Sequence, residues 1–135
     1  MIDANAVVSA ALKAESVPEQ ALRLAQARCT VYLSTDVRGE IGRVLMRPRL
    51  ASRVSSGRVA SVLALLDDGA RWIEPTIRVT DCRDAKDDRY LELALAASAD
   101  IIVSGDMDLL ILDPWRGVRV MTPAQFVRLW PPLAA

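Results

Sequence analysis

Ile101-Ile102-Val103-Ser104-Gly105-Asp106-Met107-Asp108 decides the reading of this chain. Three apolar residues rich in β-branching, closed by a Ser-Gly turn signal, predict a short buried strand. The acids follow at the strand's carboxyl end. In open parallel sheets that is the edge where ligands bind. Asp106 and Asp108 therefore stand where chemistry is expected, with Ser104 as a polar neighbour able to orient a carboxylate or a water.

Working outward, residues 87–98 predict a strongly apolar helix feeding that strand, with Tyr90, Leu91, Leu93, Ala94 and Leu95 as its core face. Asp88 lies at the start of this helix and so faces the same edge. Glu92 follows four residues later on the same helical face. Met1-Ile2 reads as the end of a first, clipped strand, with Asp3 directly after it and Asn5 two residues on. Helices are expected over 4–13 and 18–28. Residues 29–33 form a second strand, and Ser34-Thr35 caps a helix over 36–46 that carries Glu40 one turn in. Helices over 49–55 and 57–68, a strand over 71–74, a polar loop over 75–86 and a strand over 118–120 follow. Thr122-Pro123 opens a last helix over 123–130, stopped by Pro131-Pro132. Short apolar runs alternating with helices predict an α/β fold with a parallel sheet.

Composition narrows the chemistry. The chain has 135 residues, suited to one domain over 1–135, and no histidine. Histidine triads, histidine zinc sites and histidine general bases are thereby excluded. Two cysteines, Cys29 and Cys82, are too few for a cysteine zinc site and read as ordinary thiols. No apolar run approaches the roughly 20 residues of a membrane span, and Met1-Ile2-Asp3 has no basic leader, so a soluble, cytoplasmic protein is expected.

Seventeen basic and 17 acidic residues balance to zero, but they are segregated. Residues 38–58 carry six arginines, among them Arg43, Arg47 and Arg49, against Glu40 alone. Residues 81–108 carry eight acids against Arg83, Lys86 and Arg89. Arginine forks suit phosphate oxygens, so the first segment is a candidate RNA-binding surface. Asp81, Asp84 and Asp87 read as a solvated loop.

Asp3, Glu40, Asp88 and Asp106 occupy matching topological positions and converge on one sheet edge. Two carboxylates about 5 Å apart repel by roughly 3 kcal/mol at an effective dielectric near 20. A divalent cation removes that cost, and an all-oxygen donor set selects Mg²⁺ or Mn²⁺ over zinc. Such an ion activates water toward a phosphodiester and steadies the developing charge. Each acid also has a plain structural use: Asp3 and Asp88 as helix caps, Asp106 as a turn former, Glu40 as a solvated helix residue, and Asp108 as a cap for Leu109-Leu110.

Four ordered blocks resemble PIN-domain nucleases. They are Ile2-Asp3-Ala4-Asn5-Ala6-Val7-Val8-Ser9-Ala10, Glu40-Ile41 followed by Val44-Leu45-Met46-Arg47-Pro48, Asp84-Ala85-Lys86-Asp87-Asp88-Arg89-Tyr90-Leu91-Glu92-Leu93-Ala94, and Ser104-Gly105-Asp106-Met107-Asp108-Leu109-Leu110. Met121-Thr122-Pro123-Ala124-Gln125-Phe126 is similar to the closing block of the same subgroup, which comprises toxin components of toxin–antitoxin systems of VapC type. The resemblance implies an α/β/α sandwich with a central parallel sheet of four to five strands. It implies a Mg²⁺- or Mn²⁺-dependent single-strand endoribonuclease, silenced by a cognate antitoxin and acting as a homodimer. It carries catalytic roles onto Asp3, Glu40, Asp88 and Asp106, of which Asp3, Asp88 and Asp106 bind the metal. Asn5, Ser104, Asp108 and Glu92 support them. Ala4 departs from the family pattern, which has a threonine there. The alternatives are an RNA-processing nuclease without a toxin role and a catalytically inactive RNA-binding PIN domain. Receiver and haloacid-dehalogenase readings fail, because Asp3-Ala4-Asn5 lacks the second acid that each requires.

Overall fold

Helix starts follow the short polar residues that can cap them. The computed structural model describes residues 1–131, so Pro132 of the expected helix stop and the end of the 1–135 domain lie outside the described residues. Asp3 caps α1 (Ala4–Leu12), and Ser16 caps α2 (Val17–Arg28), which has Pro18 in its first turn. After β1 (Tyr32–Leu33), Ser34 caps α3 (Thr35–Leu45). Pro48 opens the single turn of α4 (Pro48–Ala51), and Ser55 caps α5 (Ser56–Asp67). Gly69, at φ 72°, supplies the left-handed turn into β2 (Arg71–Trp72). A 3-10 turn over Ala85–Asp87 runs into α6 (Asp88–Ala97). Then come β3 (Ile101–Val103), α7 (Met107–Leu110), β4 (Arg119–Met121) and α8 (Pro123–Arg128). Thr122 and Gln125 cap α8 reciprocally.

The strands are parallel, as the alternating pattern predicts. Tyr32 and Leu33 pair with Arg71 and Trp72, and Ile101, Ile102 and Val103 pair with Arg119, Val120 and Met121. The expected continuous sheet of four to five strands is not formed among the described residues. Two separate pairs stand in its place, and Ile2 joins Val103 through an isolated bridge. The ladders are short. The first segment pairs with β3 through Met1 N to Ile101 O at 2.7 Å, Val103 N–H to Met1 O at 2.8 Å and Asp3 N–H to Val103 O at 3.0 Å. The apolar run over 29–33 likewise pairs only at its end, through Tyr32 and Leu33 of β1 and the Val31 carbonyl, which accepts the Arg71 N–H at 2.9 Å.

The core fills the space between these pairs and the helices. Val7, Ala10, Leu22, Leu33, Val37, Ile41, Leu66, Leu91, Leu93, Ile102 and Leu109 are fully buried. Helix α1 packs on α2, α3 and α5; α8 packs on α2; and α6 packs on α3, β1 and β3. This packing brings the start of α1, the end of β3 and the start of α6 to one edge of the molecule. No helix among the described residues is long and apolar enough to cross a membrane.

Candidate metal centre

Asp3 is the anchor. Its side chain is almost wholly buried at the N-terminus of α1, where one carboxylate oxygen accepts the Ala6 N–H at 2.9 Å. The other oxygen accepts the hydroxyl of Ser104. Ser104 is fully buried, and its oxygen accepts the Asp106 N–H at 2.9 Å. Asp106 in turn caps α7 through the Asp108 N–H at 2.9 Å. One serine thus ties the acid after the first strand to the acid after β3. Burial pushes the Asp3 pKa up to about 6, with the charge of Asp106 adding to it, despite the two hydrogen bonds that favour ionisation.

Asp87 completes the group. It ends the 3-10 turn, and its Oδ2 is buried with no partner among the described residues. Burial, and after it Asp106, Asp84 and Asp3, push its pKa up to about 7. Asp84, Asp87 and Asp108 each present a carboxylate oxygen within 4.8 Å of the others. Asp84 caps the 3-10 turn through the Lys86 N–H at 3.3 Å. Asp108 is balanced by Arg83 at 2.8 Å.

The expected residues divide accordingly. Asp3, Ser104, Asp106 and Asp108 come together. One oxygen of the buried Asp88 carboxylate accepts the Cys82 N–H at 2.9 Å. Glu92 accepts the Val79 N–H at 2.9 Å, so these two acids of α6 tie down the preceding loop. Asp87, read as a solvated loop residue, lies in the acidic group, beside Asp84 and Asp108. The signal for it was the Asp84-x-x-Asp87 spacing, which puts both acids on one side of a helical turn. Glu40 is held by Arg43 at 3.1 Å and Arg89 at 3.5 Å, and it lies near the Tyr90 hydroxyl on the α3 side. Asn5 is exposed on α1. Arg47 and Arg49 are exposed, whereas Arg38 and Arg58 of the same basic segment pair with Asp67 and Glu19. Both cysteines are free thiols, Cys82 buried and Cys29 exposed.

The residues present fit a hard divalent cation. The donors are all carboxylate oxygens, one is buried without a partner among the described residues, and two carry pKa values raised by burial and by neighbouring acids.

Comparison with known proteins gives the family. The PIN domain family profile matches residues 1–108. The chain is also 28% identical to an uncharacterized protein of Methanocaldococcus jannaschii, over 94% of this chain and 88% of the relative. No solved structure matches it. PIN domains are generally metal-dependent nucleases that act on RNA. With a match that spans most of its length, the chain belongs to the PIN-domain family.

Proposed function

We propose that this protein is a Mg²⁺- or Mn²⁺-dependent endoribonuclease of single-stranded RNA, and the toxin of a toxin–antitoxin pair. The observation that carries the nuclease reading is Asp87, which has a buried oxygen without a partner among the described residues and feels the charges of Asp106, Asp84 and Asp3. Asp3, Asp87 and Asp106 hold the cation, with Asp84 and Asp108 beside them and Glu40 as an outer acid. When bound, the cation supplies Lewis acidity toward the phosphate and neutralises the carboxylates.

The chain's own groups do the positioning. Ser104 fixes Asp3 and the Asp106 backbone together, and the Asp108 N–H holds the Asp106 carboxylate. Asp88 and Glu92 act one layer out, by fixing the loop that leads into the 3-10 turn. Arg43, Arg47 and Arg49 hold the RNA backbone. The remaining parts of this reading are one domain over 1–135, a homodimer, a cytoplasmic location and a cognate antitoxin. The two parallel pairs are read as halves of one sheet of four to five strands in an α/β/α sandwich, with Met1–Asp3 between them.

The test is metal titration of the purified protein with defined single-stranded RNAs, alongside expression in a host. Cleavage is expected with Mg²⁺ or Mn²⁺ and is abolished by chelator or by Asp106→Asn. Growth arrest is expected from the wild type and not from the Asp106→Asn chain. Cleavage by that variant at the wild-type rate sinks the nuclease assignment. Harmless expression of an active wild type leaves a nuclease without a toxin role.

A further inference from the structure

Tyr90 is buried in α6, 3% exposed, and its phenolic oxygen accepts the Ala4 N–H at 3.2 Å. A phenol has one proton to give as well as lone pairs to receive. Among the described residues that proton makes no hydrogen bond. That oxygen sits on the amide next to Asp3, and the charges of Asp3, Glu40 and Asp87 reach it. Asp87 Oδ2 is likewise buried and unpartnered. A buried donor and a buried acceptor thus both lie within reach of the Asp3 charge. Each is costly unless a polar occupant meets it. Burial and the neighbouring acids push the phenol pKa up, so the group is a protonated donor at neutral pH.

We infer that Tyr90 is a positioning residue of the metal centre. The Ala4 amide fixes its oxygen, and its proton is directed at the oxygen atoms, carboxylate or water, that surround the ion. This inference rests on the metal-centre reading above. The competing account is that Tyr90 only satisfies a free N–H in the first turn of α1.

Tyr90→Phe removes the hydroxyl and keeps the ring. In the positioning account, Mn²⁺ affinity measured by electron paramagnetic resonance without RNA falls about tenfold, in line with losses of groups that orient metal ligands. The kcat of RNA cleavage falls by a similar factor, and KM is unchanged. A lower melting temperature with Mn²⁺ affinity and kcat within twofold of wild type overturns the inference in favour of simple capping. A second readout needs no substitution. The protein has two tyrosines, Tyr32 and Tyr90, so fluorotyrosine labelling gives two ¹⁹F resonances. The Tyr90 signal is expected to shift with Mg²⁺ along the binding curve while Tyr32 stays still. A Tyr90 signal unmoved at saturation overturns the inference and leaves the metal centre standing. Failure of the wild type to bind Mn²⁺ at all overturns both.

Discussion

Asp87 and Asp88 are neighbours with opposite duties. The Asp88 carboxylate holds the Cys82 N–H in the interior, whereas the Asp87 carboxylate has a buried oxygen without a partner among the described residues. Asp88→Ala leaves a buried amide unsatisfied and is expected to cost about 1–3 kcal/mol of stability while Mn²⁺ still binds. Asp87→Asn is expected to do the reverse, leaving the melting temperature of the metal-free protein equal or higher and abolishing Mn²⁺ binding. Denaturant unfolding and a Mn²⁺ titration of both variants check this pair. Sequence spacing placed Asp3, Ser104 and Asp106 at the site, because each follows a strand end. It did not separate Asp87 from Asp88. The junction between a 3-10 turn and an α-helix sets where each side chain points, and helical spacing rules do not describe that junction.

At the scale of elements, the arginine-rich segment divides into structural and exposed groups. Arg58 reaches from α5 to the end of α1, donating to Ala10 O at 2.6 Å and Ala11 O at 3.4 Å, and it pairs with buried Glu19 of α2 at 2.9 Å. It joins three helices and satisfies carbonyls that α1 leaves open at its C-terminus. Arg58→Met leaves buried Glu19 with the exposed Arg23 and the Glu15 N–H and is expected to cost about 3 kcal/mol, as broken buried pairs do. Equilibrium unfolding measures that loss, and the salt dependence of RNA binding stays as in the wild type. Helix positions were legible to within a few residues, since caps and prolines are local signals. The strands were not, because ladder length depends on which partner lies alongside. An apolar run such as 29–33 carries no mark of how many of its residues find one.

Over the whole molecule, the buried acids shape stability against pH. Asp3 and Asp87 have folded pKa values near 6 and 7, above the ordinary aspartate value of 3.8. The folded state therefore holds protons there that the unfolded chain has released. Stability from these groups is full below about pH 4 and is lost as pH rises through 6 to 7. Glu19 acts in the opposite sense. Its hydrogen bonds to Arg58 hold its pKa well below the ordinary 4.5, so its contribution is present above that value and lost as pH falls further. The metal-free protein is thus expected to be most stable near pH 4 and to soften toward pH 8. A divalent cation competes with the protons on Asp3 and Asp87, so it binds best above pH 7. At about 100 times its dissociation constant it adds about 2.7 kcal/mol. Thermal melts from pH 4 to 9, with chelator and with Mg²⁺, are expected to show a Mg²⁺ gain that grows from pH 5 to 8 and moves the optimum above 7. A gain of equal size at pH 5 and pH 8 places the ion away from these carboxylates, because only there does it displace protons.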